Sequence, residues 1–276
     1  MSTWLITGCS TGLGRAFAET ALDRGHNVVA TARDIAKVQG LADACPDQAL
    51  AVALDVTRDE QVTAAVAAAE ERFGAVDVLV NNAGYGYRAA VEEGEDEAVR
   101  RLFDTHVFGA ARTIKSVLPA MRARRSGTIV NLSSIGARIC PEGSGYYAAA
   151  KAAVEAMTLS LRKELAPLGI HATVVEPGAF RTDFAGRSLT QAEHAIVDYA
   201  ETAGRRRKEL DRVHGTQPGD PARAAAALVD AVESGDPPYL LLLGNDAVDA
   251  VRTALAALRD DIDTWETTSR STDFDS

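Results

Sequence analysis

Short apolar, β-branched runs alternate along the chain with longer segments whose apolar residues recur at helical period. The runs are Trp4–Thr7, Val28–Ala32, Ala49–Asp55, Val76–Asn81, Gly127–Leu132, Ile170–Glu176 and Tyr239–Leu243, which predicts seven strands. The segments between them are long enough for helices, and a helix joining two such strands makes a right-handed parallel crossover. Val76-Asp77-Val78-Leu79-Val80 is apolar at nearly every position, the mark of a strand covered on both faces. The predicted architecture is α/β: a doubly wound, seven-stranded parallel sheet in three layers, α/β/α, forming a single domain.

Two stretches depart from the alternation. Polar and charged residues dominate between Ala179 and Gly215, a long interruption for a compact domain, and residues 179–216 read as a lid over a substrate. Residues 1–244 are then the catalytic body. Residues 245–276 are a final helix, Asn245 to Trp265, and a polar tail packed on the same domain. Composition narrows the function. With 39 acidic and 29 basic side chains the formal net charge is -10, which argues against nucleic-acid binding because a phosphate backbone needs a basic face. No run of about 18 apolar residues occurs and no signal-peptide pattern follows Met1, so the expected location is cytoplasmic, away from membranes. Cys9, Cys45 and Cys140 are odd in number and lack CxxC spacing, which predicts free thiols and no metal.

Candidate chemistry begins directly after the first run. Thr7-Gly8-Cys9-Ser10-Thr11-Gly12-Leu13-Gly14 opens a helical stretch, and glycines at 8, 12 and 14 let the backbone approach a pyrophosphate held by free amides at a helix N-terminus. The second run ends Ala32-Arg33-Asp34. An acidic residue at that strand end would bind a ribose 2′-hydroxyl, whereas an arginine accommodates a 2′-phosphate, so Arg33 favours NADP, with NAD still possible. The plainer reading is a solvated arginine beside Asp34. Tyr147 and Lys151 stand four apart at the start of an alanine-rich helical segment and share one face. A neighbouring ammonium favours the phenolate, so the pair reads as a proton donor with its tuner, or as a coincidence of spacing. Ser133-Ser134 follows the fifth run, at the strand edge where parallel sheets bind ligands, and can equally be a turn.

Together these residues resemble the short-chain dehydrogenase/reductase family, over nearly the whole chain. The family's TGxxxGxG is similar to Thr7–Gly14, its Asp-Val to Asp55-Val56, its NNAG to Asn81-Asn82-Ala83-Gly84, its YxxxK to Tyr147–Lys151 and its Pro-Gly to Pro177-Gly178. The resemblance implies a Rossmann fold and hydride transfer between a nicotinamide cofactor and a carbonyl or a secondary or primary alcohol. It assigns Tyr147 as general acid/base and Ser134 as the residue that polarises the substrate oxygen. Lys151 would tune the tyrosine and bind the nicotinamide ribose. Ser10, Thr11, Leu13, Asn81, Ala83, Gly84 and Thr182 would join the cofactor site, Asp55-Val56 meeting the adenine and Thr182 the carboxamide.

One position departs from the family. In Thr105-His106-Val107-Phe108-Gly109, His106 stands where the family has an asparagine that anchors a relay water. Three readings are open: the imidazole replaces the amide in a relay made pH-sensitive by its titration, it is a packing residue, or catalysis is reduced. The last keeps alive a catalytically weak or inactive NADP(H)-binding sensor, against which the retained Ser134, Tyr147 and Lys151 argue. A methyltransferase is disfavoured because Ala32 replaces its acidic residue at the second strand end. Tyr85, Tyr87, Ile135, Ile139, Phe180, Phe184 and Leu189 predict an apolar pocket with few charges, for a hydrophobic small molecule, or else pack the 179–216 segment onto the sheet. Family pairing through helices near Asp104–Arg125 and Tyr147–Leu168 implies a homodimer or homotetramer.

Overall fold

The structure is a computed structural model describing residues 1–185, 188–208 and 215–274. Its main sheet is seven-stranded, all parallel, in the order β3-β2-β1-β4-β6-β7-β9. The strands are β1 (Thr3–Ile6), β2 (Asn27–Ala32), β3 (Ala49–Ala53), β4 (Val78–Asn81), β6 (Gly127–Leu132), β7 (Ile170–Pro177) and β9 (Leu240–Leu243). Each expected run is a strand, with ends shifted by no more than two residues. Two further strands, β5 (Gly86–Arg88) and β8 (Leu189–Gln191), pair with each other in parallel outside the main sheet. At three residues apiece, they are too short to leave a periodic signal in sequence.

Side-chain alternation along the strands sorts the core into two layers. Trp4 and Ile6, Val28 and Ala30, and Val78 and Val80 face α1 (Gly12–Asp23), α2 (Ala36–Ala44) and α8 (Pro221–Glu233). Leu5, Val29, Leu79 and Ile129 face the opposite way, toward α3 (Asp59–Phe73), α5 (Gly109–Arg124) and α7 (Gly145–Leu165). These two covered faces explain why the strand runs are continuously apolar. Strand order reverses between β1 and β4, and the crevice at their carboxyl ends is where an open α/β sheet takes its ligand. Over that edge lie α4 (Asp96–Phe103), the short α6 (Gly136–Ile139), and the chain after β7.

Helix α8 begins at Asp220, whose carboxylate accepts from the Ala222 amide at 2.9 Å, with Pro221 in the first turn. The last helix, α9 (Asn245–Arg270), buries Ala247 and Val251 in its first two turns. Farther along, Leu255, Leu258, Ile262 and Trp265 are 51–62% exposed. Among the described residues no helix is long and apolar enough to cross a membrane.

Leu228 of α8 is fully buried in the layer that holds Phe17 and Ala21. Leu228→Ala is expected to cost roughly 2–5 kcal/mol from lost transfer free energy and the cavity left behind, read as a lower urea midpoint with an unchanged m-value.

Candidate active site

The turn between β1 and α1 is built by close approach. Gly8 and Gly12 have φ of +75° and +64°, and a Cβ on Gly14 would stand 2.3 Å from Asn82 Nδ2 and 2.5 Å from the Gly8 carbonyl oxygen. Thr11, the residue before α1, makes no side-chain cap, so the first amides of the helix face the crevice without a side-chain acceptor. Asn82 holds the turn: its Nδ2 donates to the carbonyls of Thr7 at 2.8 Å and Gly8 at 3.1 Å. In return, Thr7 Oγ1 accepts from the amides of Asn82 and Ala83, each at 2.9 Å.

Sequence reasoning named Asn82 only within its motif and gave the cofactor role to Asn81. Successive side chains at a strand end point to opposite sides. Asn81 therefore turns inward, donating to Asn131 Oδ1 at 2.9 Å and accepting from Thr113 Oγ1 at 2.5 Å, and it borders a small space together with His106 and Lys151. Gly14 also lies beneath the turn, outside the cleft lining.

A cleft of about 1100 Å³ runs along the carboxyl ends of the strands. One end holds Arg33, Asp55 and Val56, the middle Ser10, Thr11, Gly12, Leu13, Ala83 and Gly84, and the far wall Pro177, Gly178 and Thr182. Arg33 is exposed and makes no ion pair among the described residues. Asp34 is not its partner, since its carboxylate accepts from the Ala36 amide at 3.2 Å at the start of α2. Asp55 accepts from the Thr57 amide at 2.9 Å and the Thr57 hydroxyl at 2.8 Å.

At the other end, the first turns of α7 bring Tyr147 and Lys151 beside the residues that follow β6. Ser134 Oγ and the Tyr147 ring both lie beside Gly136, whose amide donates to Ser134 Oγ at 3.0 Å. Ser133 points the other way, its hydroxyl donating to Glu155 at 2.5 Å. Lys151 is buried and donates to the Leu132 carbonyl at 2.7 Å, with Nζ 5.8 Å from the centre of the Tyr147 ring. The expected pull of Lys151 on the phenol is not the dominant effect. Loss of solvation raises Tyr147 to about 12, opposed by the Ser134 hydroxyl and the charge of Arg88. Burial likewise lowers Lys151 to about 7, and the Glu155 carboxylate opposes that fall.

His106 lies in a π-helical turn, Asp104–Phe108, between α4 and α5. Its Nε2 sits 2.8 Å from the Tyr85 carbonyl oxygen and 3.1 Å from the Tyr85 amide. The ring meets Tyr147 edge-on with centroids 5.7 Å apart. Gly84 admits it, because a Cβ there would stand 2.4 Å from His106 Cε1. Nδ1 is buried without a hydrogen-bond partner. Both His106 and Lys151 line a small space of about 10 Å³, about the room one water takes. The suggested pH sensitivity of this residue meets a physical obstacle: burial and the Lys151 charge hold His106 well below its ordinary 6.5.

The model of the short chain dehydrogenase family matches residues 2–193. An oxidoreductase of Botryotinia fuckeliana (strain B05.10), BOA17, is 38% identical over 95% of this chain and 96% of its own. The chain belongs to the short-chain dehydrogenase family. A short-chain dehydrogenase from Streptomyces avermitilis superposes with a TM-score of 0.92 at 43% identity, covering 99% of this chain and all of that one. A family member from Burkholderia phymatum, solved in complex with NAD, superposes with a TM-score of 0.79 at 25% identity, covering 95% and 94%.

In this dehydrogenase the seven apolar residues expected around the substrate do line the cleft, Tyr85, Tyr87, Ile135 and Ile139 from the body and Phe180, Phe184 and Leu189 from the chain after β7. The expectation of few charges is corrected: Arg88 and Arg206 line the same end, and sequence reasoning passed over both. Arg88 lies on a three-residue strand that left no periodic signal in the sequence.

Because His106 stays neutral in the fold but gains a proton below about pH 6.5 once unfolded, the unfolded state binds more protons and stability falls as pH drops below that value. This one group is expected to contribute up to about 1.4 kcal/mol per pH unit. Urea unfolding at pH 6.5 and 5.5 should show that loss in the parent and not its share in His106→Asn.

Proposed function

We propose that the enzyme is an NADP(H)-dependent carbonyl reductase or alcohol dehydrogenase acting on a hydrophobic small molecule. The observation that carries this reading is the convergence of Ser134, Tyr147 and Lys151 at one end of a cleft whose other parts are a helix-terminal glycine turn and an unpaired Arg33. The turn suits a diphosphate, since Gly8 and Gly14 leave no room for a side chain where the backbone must come close. Arg33, at the end of β2 with Ala32 in place of an acid, suits a 2′-phosphate and supports NADP over NAD. NADPH, when bound, supplies the hydride.

The chain's residues supply the rest. Ser134 Oγ, held by the Gly136 amide, donates to the substrate carbonyl oxygen and polarises it. Tyr147, kept as the phenol by its raised pKa, gives that oxygen its proton as negative charge develops there. In the oxidative direction the Tyr147 phenolate takes the proton from the alcohol, while Ser134 holds the same oxygen. Lys151 lies one turn along α7 and would hold the nicotinamide ribose. His106 is a positioning residue in this scheme. With Nε2 donating to Tyr85, Nδ1 offers its lone pair to a water in the small space shared with Lys151, the task an asparagine performs elsewhere in the family. A neutral imidazole can do this across the ordinary pH range. The substrate lid expected at residues 179–216 lies partly outside the described residues; its described parts, 179–185, 188–208 and 215–216, cover the substrate, and the apolar walls take the substrate's body.

Tyr147→Phe should retain NADPH binding by fluorescence titration while turnover of a ketone panel falls by about 10²–10⁴; full activity would remove Tyr147 from the chemistry. Arg33→Ala should raise the KM for NADPH about tenfold and leave that for NADH nearly unchanged, a difference that equal effects on the two cofactors would abolish.

A further inference from the structure

The strand β5 pairs in register with β8, Gly86 opposite Leu189, Tyr87 opposite Thr190 and Arg88 opposite Gln191. Tyr87 is 2% exposed, packed with Leu102 and Ala150, and donates its hydroxyl to Glu95. Alternation sends the next side chain to the other face, and Arg88 enters the cleft. There its Nη1 donates to Ser144 Oγ at 2.8 Å. Ser144 is the residue before α7 and stands one turn ahead of Tyr147. The guanidinium therefore lies over the first turn of the helix that carries the proton donor.

No carboxylate forms an ion pair with Arg88 among the described residues. The acids around it are occupied: Glu93 pairs with Arg207 and accepts from the Ala90 and Ile196 amides, and Glu95 accepts from Tyr87 and the Glu193 amide. The charge nearest in effect is another cation, Arg206. Burial and Arg206 together pull Arg88 down to about 10. A part-buried guanidinium at the end of a cleft, with a neutral hydroxyl as its acceptor, is an arrangement that a bound anion stabilises.

We propose that Arg88 recognises a carboxylate on the substrate, and that the reacting carbonyl or alcohol lies a few bonds from that carboxylate. A keto acid fits, its acid group at Arg88, its carbonyl oxygen at Tyr147 and Ser134, and its hydrocarbon part against Ile139, Phe184 and Leu189. This rests on the reading of Tyr147 as the proton donor, so the test separates the two.

Binding is measured first, by calorimetric titration of the NADP⁺-loaded enzyme with 3-phenylpropionate and with its neutral amide. The acid should bind at least about tenfold more tightly than the amide, Arg88→Met should erase the difference, and Arg88→Lys should keep part of it. Equal affinities in the parent overturn the proposal whatever the activity. Turnover of 4-oxo-4-phenylbutyrate is then compared with that of its methyl ester. A preference for the acid over the ester that vanishes in Arg88→Met, whatever common loss both substrates share through the Arg88 charge on Tyr147, supports the assignment. An equal loss on acid and ester places Arg88 with Tyr147 instead and overturns it. Should neither compound nor any neutral ketone be reduced, the reductase reading falls, while the calorimetry still decides the anion site.

Discussion

The crossing of backbone at the β1–β4 switch point constrains everything else in this enzyme. Asn82 reaches over the turn after β1 and donates into the carbonyls of Thr7 and Gly8, while the Thr7 hydroxyl accepts from the two amides that follow β4. Four hydrogen bonds thus lock two strand ends together, and only glycine fits beneath the lock at positions 8 and 14. The amides of α1 consequently face the crevice in a fixed direction. A binding site made of backbone dipoles works only when their orientation is set before the ligand arrives.

A second set of buried polar contacts holds the reacting end. Asn131 of β6 donates to Thr158 of α7 at 2.8 Å, Ser133 to Glu155, and Lys151 to Leu132. Arg138 on α6 joins Glu155 at 2.9 Å to Glu176 of β7 at 3.0 Å. Burying such groups is costly without partners, and here they pair across four elements, β6, α6, α7 and β7. The result fixes α7 against the end of β6 so that Ser134 and Tyr147 meet. Glu155, one turn beyond Lys151, belongs to the frame of the site rather than to its chemistry.

The sheet was legible because both its faces are covered. Apolar residues at consecutive positions mark such strands, and the turns between them carry glycine and polar residues. Ser134, Tyr147 and Lys151 were legible as spacing on a helix and at a strand end. Other features depend on facts that spacing does not contain. The choice between Asn81 and Asn82 is a matter of which side of a strand end each one takes. Arg88 sits on a three-residue strand whose partner lies far along the chain, so nothing local announces its direction. The states of Tyr147, Lys151 and His106 follow from loss of water, and burial is a property of the folded chain. The Lys151 charge could be read from spacing, whereas the burial that raises the phenol could not.

The pairing of β5 with β8 also bears on the order in which the molecule assembles. Gly86 and Thr190, which touch across it, are 104 residues apart in the chain. Closing so long a loop carries its entropy cost in full before three residue pairs return anything, whereas the sheet core gains from whole strands and their helices. The β5–β8 pair therefore gains less for the closure it demands than the strands of the main sheet do.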